Sequence, residues 1–148
     1  MAEMMAGGCA CGRIRYAVSV QGVDAYLCHC RMCQRATGSV SVAFKNVKQA
    51  DVVWHRKPDW YDSSPIAERP YCRECGTSLG FRFKDGSEMM DLTVASLDDP
   101  SRFVPKHHFG AENIHRAWLN TEGLPEKRTE DYQKLVDKWV EATGKLPG

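Results

Sequence analysis

Apolar and polar residues alternate along several short stretches of the first hundred residues. The stretch RIRYAVSV, which begins at Arg13, alternates without a break, and it places four apolar side chains on one face: Ile14, Tyr16, Val18 and Val20. A period of two is typical of a strand that is buried on one face only. The pattern therefore predicts a half-buried strand here.

Four further stretches predict strands, DVVW as a short apolar run and the others from the same spacing of apolar residues. They are SVSVAF from Ser39, with Val40, Val42 and Phe44 directed inward; DVVW from Asp51; LGFRF from Leu79, with Leu79, Phe81 and Phe83 on one face; and EMMDLTVASL from Glu88, with Met90, Leu92 and Val94 together. Turn-forming residues separate them, as in KPDWYDSSP from Lys57 and KDGS from Lys84. Many short strands with turn signals between them predict a mainly β, antiparallel domain.

The C-terminal stretch has a different period. In RTEDYQKLVDKWVEATG, which begins at Arg128, helical spacing relates five apolar residues: Tyr132, Leu135, Val136, Trp139 and Val140. Thr129 is the expected N-cap, and Gly144 the expected stop. We therefore expect a β domain over residues 1–125 and an amphipathic helix over residues 126–148. Its apolar stripe is expected to pack on its own chain, flanking a pocket, or else on a second subunit.

Composition narrows the class of protein. The chain has 148 residues, 43% of them hydrophobic, and a formal net charge of +1. This length fits one domain, and the charge gives no reason to expect a nucleic-acid partner. No apolar run approaches the ~20 residues that span a bilayer, and MAEMMAGG lacks the pattern of a signal peptide. The expected location is the cytoplasm.

All seven cysteines fall into three short motifs. They are C-x-C at Cys9 and Cys11, C-x-C-x-x-C at Cys28, Cys30 and Cys33, and C-x-x-C at Cys72 and Cys75. An odd number of cysteines without a secretion signal argues against a disulfide framework. Clustered thiols in a reducing compartment are typical of metal binding.

The two paired motifs each supply half of a tetrahedral site. Two residues between Cys72 and Cys75 allow one tight turn to direct both sulfurs at one ion, and Gly76 suits the left-handed conformation that such a turn needs. The simplest completion joins this pair to Cys9 and Cys11. A closed zinc site of this kind stabilises folding, with a gross binding free energy on the order of 10 kcal/mol.

The three remaining cysteines lack a fourth cysteine. Three protein ligands with one exchangeable position are typical of catalytic zinc. Two alternatives stay open: another side chain closes the site as a structural one, or Cys30 and Cys33 form a redox dithiol, although the usual βαβ context is missing. Three thiolates make Zn²⁺ a weak Lewis acid for water but a good partner for a further thiol. The motif thus favours thiol chemistry.

The three motifs together resemble the glutathione-dependent formaldehyde-activating enzyme (GFA) family. The resemblance covers roughly residues 7–125 and rests on five stretches: GGCACGRIRYAV, CHCRMCQRATGS, YCRECGTSLGFR, SLDDPSRFVPKHHF and AWLNTEGLP. It implies an antiparallel β architecture called a β-tent. It also implies two zinc ions: a structural one held by Cys9, Cys11, Cys72 and Cys75, and a catalytic one held by Cys28, Cys30 and Cys33.

The activity implied by the resemblance is carbon–sulfur bond formation or cleavage, with glutathione as co-substrate and formaldehyde as the aldehyde. The family often has a Pro-x-x-His-Ile stretch, in which His108 matches and Phe109 replaces the isoleucine. His108, with His107 beside it, is a candidate for binding substrate. Arg35 is a second candidate, because arginine binds carboxylates such as those of glutathione. Both side chains also fit ordinary structural or surface roles.

Two functions therefore remain in competition. The first is a zinc-dependent carbon–sulfur lyase acting on an adduct of glutathione or another small thiol. The second is a non-catalytic zinc module that binds a protein or a small thiol. An open fourth position at the Cys28, Cys30 and Cys33 cluster, next to a pocket, favours the enzyme, and an internal fourth ligand favours the module. The oligomeric state is not determined by the sequence.

Overall fold

The strands of residues 2–148 form two β-sheets, to which the predicted stretches contribute. The structure, a computed structural model, describes residues 2–148. It divides the chain into two compact units, of which the first ends at His115 and the second spans Arg116–Gly148. This division precedes the boundary expected at residue 125. We call the described part of the first unit, residues 2–115, the β unit.

The smaller sheet has three antiparallel strands in the order β1-β2-β5. Their bounds are Ala2–Gly8 for β1, Arg15–Gln21 for β2 and Val52–Trp54 for β5. The inward face of β2 carries Tyr16, Val18 and Val20, and Ile14 directly precedes the strand; all four residues of the predicted set are buried. The alternation in RIRYAVSV thus predicted both the strand and its buried face.

The larger sheet has seven strands in the order β10-β3-β4-β9-β8-β7-β6. Their bounds are Asp24–Cys28 (β3), Val42–Lys48 (β4), Asp59–Ser64 (β6), Ala67–Tyr71 (β7), Gly80–Phe83 (β8), Met89–Thr93 (β9) and Val104–Phe109 (β10). Among the described strand pairs, only β3 and β10 run parallel. The prediction of a mainly β fold with antiparallel sheets is confirmed.

Residues 2–148 contain three α-helices: α1 over Arg31–Thr37, α2 over Arg116–Leu119 and α3 over Gln133–Thr143. The predicted C-terminal helix is α3, and Gly144 ends it in a left-handed conformation with φ 74°. The predicted N-cap is wrong, because Thr129 begins a short 3-10 turn and Tyr132 caps α3. None of the helices in residues 2–148 has the length and apolar content needed to cross a bilayer.

The sequence pattern predicted the wrong local structure or burial at three places in the β unit. KPDWYDSSP was expected to be a connection, but Asp59–Ser64 is strand β6, which pairs with β7. Val40 was expected to be buried, but the strand begins at Val42 and Val40 is exposed. Phe83 is exposed as well. Pairing with a distant strand decides such edges, and a window of a few residues does not contain that partner.

Candidate metal centres and the adjoining pocket

The first cysteine cluster joins two distant turns of the β unit. Cys9 and Cys11 lie between β1 and β2, and Cys72 and Cys75 follow β7. The four sulfurs lie within 4.8 Å of one another, with 3.5 Å between Cys9 and Cys11 and 3.7 Å between Cys11 and Cys72. A tetrahedral zinc site with Zn–S bonds of about 2.3 Å places its sulfurs about 3.8 Å apart. The donor set and its spacing therefore fit Zn²⁺.

Neighbouring donors contact three of the four sulfurs in this cluster. The backbone N–H of Ile14 donates to Cys9 Sγ at 3.2 Å. Arg13 Nε donates to Cys72 Sγ at 3.4 Å. The hydrogen bond with the Thr77 hydroxyl, 3.1 Å away, is the largest effect that lowers the pKa of Cys75 to about 5. A metal-bound cysteine must lose its proton, and the lowered pKa of Cys75 favours that loss. The hydrogen bond with Cys9 is the largest effect that raises the pKa of Cys11, to about 11.

The turn after Cys72 has the geometry that the motif predicted. Gly76 has φ 78°, in the left-handed region that glycine adopts without steric cost. Its N–H donates to the carbonyl of Cys72 at 2.7 Å. Cys9 and Cys72 also belong to the main hydrophobic core. A metal ion here would link the core to two turns that are far apart in sequence.

The second cluster contains Cys28, Cys30 and Cys33, whose sulfurs also lie within 4.8 Å of one another. Cys28 ends β3, Cys30 is the N-cap of α1, and Cys33 lies in the first turn of α1. Cys30 Sγ accepts the N–H of Cys33 at 3.3 Å. Three soft donors on one strand end and one helix start also fit Zn²⁺, with one ligand fewer than the first cluster.

Strand β10 supports this cluster from the side. The N–H of His29 donates to the carbonyl of Phe109 at 2.9 Å. Gly110, with φ 67°, packs so closely that a Cβ at this position would lie 2.8 Å from the backbone nitrogen of Cys30. His108 Nδ1 lies 2.8 Å from Nε2 of the buried His29. The PKHHF stretch therefore holds the loop that carries Cys28 and Cys30.

Arg69 is a buried guanidinium beside the second cluster. Its Nη2 donates to Cys33 Sγ at 3.3 Å, and its side chain is stacked 5.0 Å from the ring centroid of Phe81. Its Nε and Nη1 have no hydrogen-bond partner among the described residues. Hydrogen bonds from Cys28, and then from Cys30 and Arg69, lower the pKa of Cys33 to about 5. The positive charge of Arg69 thus stabilises a thiolate at Cys33.

A pocket opens directly on the second cluster. Its volume is about 540 Å³, and Cys28, Cys30 and Cys33 are part of its wall. Most of the remaining wall is apolar: Met32, Phe44, Ile66, Phe81, Phe83 and Phe109. A concave, mainly apolar pocket with a few convergent polar groups is the usual form of a small-molecule site. The four cysteines of the first cluster are not part of this pocket wall.

Asp91 is the acidic group of the pocket wall. The Tyr26 hydroxyl and the Asn46 amide donate to its carboxylate, the latter at 3.1 Å. Burial raises the pKa of Asp91, against the opposing effect of these hydrogen bonds. Burial also raises the pKa of Tyr26. The pocket therefore contains a carboxyl group that binds a proton more tightly than an exposed aspartate does.

Two of the candidate substrate-binding residues lie outside this pocket wall. Arg35 is exposed on α1, and His108 contacts His29 as described above. His107 does belong to the wall, where it stacks on Tyr26 with 5.2 Å between ring centroids. The roles assigned to Arg35 and His108 remain predictions.

Sequence reasoning did not identify Arg69 or Asp91. Arg69 stands in AERPY, which carries no strand alternation, and Asp91 stands on the polar face of a strand whose apolar face was identified. The periodicity gave no role to the face opposite Met90 and Leu92, and in the structure Asp91 on that face meets the pocket. A charged residue in the middle of an apolar strand is the one local signal available for Asp91.

Comparison with known proteins agrees with the cysteine motifs. The sequence profile of the family described as glutathione-dependent formaldehyde-activating enzyme matches residues 4–113. This match covers more than half of the chain and includes all seven cysteines.

Two individual proteins are similar to this chain. An uncharacterised lyase of Schizosaccharomyces pombe is 31% identical over 80 residues, which cover 54% of this chain and 58% of that protein. The chain thus matches less than two thirds of that relative's length. The crystal structure of a Rhodobacter sphaeroides protein aligns with a TM-score of 0.55 and 25% identity, covering 68% of this chain and 98% of the other.

Proposed function

We propose that this chain, which belongs to the glutathione-dependent formaldehyde-activating enzyme family, is a zinc-dependent carbon–sulfur lyase. It joins an aldehyde to glutathione or another small thiol, and it splits the same adduct in reverse. The observation that carries the proposal is the cluster of three cysteines, with sulfurs within 4.8 Å of one another, that forms part of a 540 Å³ pocket wall. The cluster of four cysteines is proposed to be structural.

The reaction needs no oxidant or reductant. The thiol releases its proton to solvent, the new carbon–sulfur bond forms as the carbonyl π bond opens, and the carbonyl oxygen takes up a proton from a carboxyl group that solvent then reprotonates. When bound by Cys28, Cys30 and Cys33, zinc would lower the pKa of a thiol that enters its open position. The protein residues then hold the reactants and supply the proton that the carbonyl oxygen takes up.

Arg69 and Asp91 have different tasks in this proposal. Arg69 donates to Cys33 Sγ and offsets one negative charge of the three thiolates. The carboxyl group of Asp91, with its raised pKa, holds the proton that the carbonyl oxygen receives. The hydroxyl group of Tyr26 and the amide of Asn46 orient that carboxyl group. The apolar wall excludes water, so that the thiol rather than water meets the aldehyde.

The test measures exchange between glutathione and S-(hydroxymethyl)glutathione by nuclear magnetic resonance with the zinc-loaded, full-length protein. We expect the exchange rate to rise in proportion to protein concentration and to return to the uncatalysed rate with Cys30→Ser. Zinc content and thermal unfolding of the variant are measured in parallel. A protein that binds glutathione without changing the exchange rate would instead be a thiol-binding module.

Arg35 is proposed to bind a glutathione carboxylate outside the pocket. Arg31 is also exposed on α1, which makes Arg31→Ala a matched control. We expect Arg35→Ala to raise KM for glutathione several-fold with little change in kcat. A contact away from the reacting atoms stabilises the bound substrate and the transition state equally. Equal effects of the two substitutions would remove Arg35 from the site. The same measurement on His108→Ala tests the other candidate.

A further inference from the structure

Four exposed apolar residues of the β unit lie in the wall of the pocket. Met32 is 53% exposed, Ile66 63%, Phe83 47% and Phe109 61%, and all four belong to the wall of the same pocket. They come from α1, the β6–β7 turn, β8 and the end of β10, which are separate segments of the chain. Contiguous exposed apolar surface of this kind marks a binding site.

The floor of the pocket is apolar as well. Phe44 is fully buried, and Phe81 packs with it in the small core cluster that contains Cys28 and Cys33. Phe81 and Phe83 form an edge-to-face pair with 5.1 Å between ring centroids. Aromatic walls of this kind prefer an aromatic or branched aliphatic occupant, because such a group fits against their faces and edges.

The charged residues of the pocket wall do not favour binding of the carboxylate groups of glutathione inside the pocket. Arg69 is 1% exposed and is covered by Phe81, so its positive charge is not presented to a ligand carboxylate. Asp91 is the acidic group of the wall, and it offers no positive charge to a ligand carboxylate. The charged ends of a glutathione adduct therefore belong in solvent at the open mouth, and an uncharged group belongs inside.

Formaldehyde leaves this pocket almost empty. Its adduct carries only a hydroxymethyl group on sulfur, which buries none of the aromatic wall. A cavity of about 540 Å³ lies within the range of about 300–1,000 Å³ that is usual for small-molecule ligands. The volume and chemistry of the wall fit a larger substituent on the carbon that bonds to sulfur.

We propose that the substrate of this site is an adduct between a thiol and an aromatic or branched aliphatic aldehyde, whose side chain fills the pocket. The inference rests on the proposed function, since it assigns the substrate class of the same three-cysteine site. It adds no reaction step: the carbon–sulfur bond forms and breaks as above, and the aldehyde substituent takes no part in proton transfer.

The first test uses thioethers that the protein cannot cleave by the proposed reaction. Binding of S-benzylglutathione and S-methylglutathione to the full-length, zinc-loaded protein is measured by calorimetry. We expect the benzyl compound to bind at least about ten-fold more tightly, because it buries an apolar ring that the methyl compound lacks. Equal affinities would overturn the assignment of the substrate class while leaving the proposed function in place.

A matched pair of substitutions locates the effect. Ile66 and Met4 are both 63% exposed, but only Ile66 belongs to the pocket wall. We expect Ile66→Ser to reduce the preference for the benzyl compound several-fold and Met4→Ser to leave it unchanged. A preference that persists in Ile66→Ser and in Phe83→Ser would place the ring elsewhere and overturn the inference.

Two further outcomes also contradict the inference. If light scattering shows a dimer that Ile66→Ser converts to a monomer, the apolar mouth is a subunit interface rather than a substrate site. If glutathione and both thioethers fail to bind, the proposed function fails, and the substrate class fails with it.

Steady-state exchange with benzaldehyde and formaldehyde completes the comparison. We expect a higher kcat/KM for benzaldehyde after correction for the uncatalysed rates.

Discussion

Two cysteine-to-serine substitutions distinguish the roles of the two clusters at the scale of single residues. Cys75→Ser removes one ligand of the four-cysteine cluster, and a structural zinc contributes directly to folding free energy. We expect its melting temperature to fall by more than about 10 °C, since several kcal/mol are involved in a domain of this size. Cys30→Ser should leave the melting temperature within about 5 °C, because serine is itself a preferred N-cap and preserves the start of α1.

The measurement is calorimetric unfolding of both variants, with zinc counted in each preparation. Wild-type protein is expected to contain two zinc ions, and chelation is expected to remove the one at the three-cysteine cluster first. If Cys30→Ser unfolds as readily as Cys75→Ser, the three-cysteine cluster is structural too.

Asp91 gives a prediction about pH. Burial raises the pKa of its carboxyl group above the ordinary value of 3.8 in the unfolded chain, although the Asn46 and Tyr26 hydrogen bonds act in the opposite direction. Folding therefore favours the protonated form. Stability from this group is fully present below pH 3.8, and it is lost as pH rises through the raised folded pKa. Asn at this position cannot ionise, and its side-chain oxygen can still accept the hydrogen bond from Asn46.

Asp91→Asn should accordingly be more stable than wild type at neutral pH, and it should exchange thiol adducts at least about ten-fold more slowly because the proton donor is gone. Urea unfolding of both proteins from pH 5 to 8 measures the first effect. Acid loss of metal affects both proteins, so the difference between them isolates the carboxyl group. A variant that is less stable than wild type at every pH would show that the charge of Asp91 is needed in the fold.

At the scale of elements, the position of the three-cysteine cluster depends on how β10 meets the start of α1. Gly110 has φ 67°, and a Cβ there would lie 2.8 Å from the nitrogen of Cys30. Gly86 has a similar φ of 80°, but a Cβ there meets nothing within 4 Å. Gly110→Ala and Gly86→Ala therefore form a matched pair that shares backbone strain and differs in contact.

We expect Gly86→Ala to lower the free energy of unfolding by roughly 1–2 kcal/mol, the cost of the left-handed conformation for alanine. Gly110→Ala should cost more, and it should also speed chelator-driven loss of zinc from the three-cysteine cluster because Cys30 is displaced. Urea unfolding and stopped-flow zinc release measure the two effects. Equal zinc release from the two variants would show that β10 does not determine the position of Cys30.

At the scale of the whole molecule, all seven cysteines and the pocket lie in the β unit. Residues Arg116–Gly148 form a separate compact unit, and the apolar stripe of α3 includes the exposed Tyr132, Leu135, Trp139 and Val140. We expect chains that end at His115 or at Leu124 to retain two zinc ions and to melt at similar temperatures. Zinc analysis, calorimetry and light scattering compare both with the full chain.

The two lengths test the domain boundary. If only the chain that ends at Leu124 retains zinc, the β domain extends to about residue 125, as the sequence suggested. If both lose zinc, the C-terminal segment completes the core. A full chain that is dimeric, with monomeric truncated forms, would identify the stripe of α3 as a subunit interface.

Local residue patterns determined a large part of this protein. The alternation in RIRYAVSV predicted a strand and its buried face, and the helical spacing near the C-terminus predicted α3 and its end at Gly144. Counting ligands predicted that Cys9 and Cys11 would meet Cys72 and Cys75, and the structure places these four sulfurs together. Such features depend on hydrophobic periodicity, on turn-forming residues or on the number of ligands that a metal ion needs. Each of these can be read from a short stretch of sequence or from the number of cysteines.

The tertiary structure alone determined where the pocket forms and which charged residues line it. Arg69 reaches Cys33 because β7, β8, β9, β4 and β3 are neighbours in one sheet, and the order of these strands is not written in any single stretch. Asp91 meets Asn46 and Tyr26 through the registers of β9 with β4 and of β4 with β3. Contacts of this kind join residues far apart in sequence, and burial on the second face of a strand depends on what packs there. The sequence therefore predicted how the cysteines group into two clusters, and the fold determined what surrounds them.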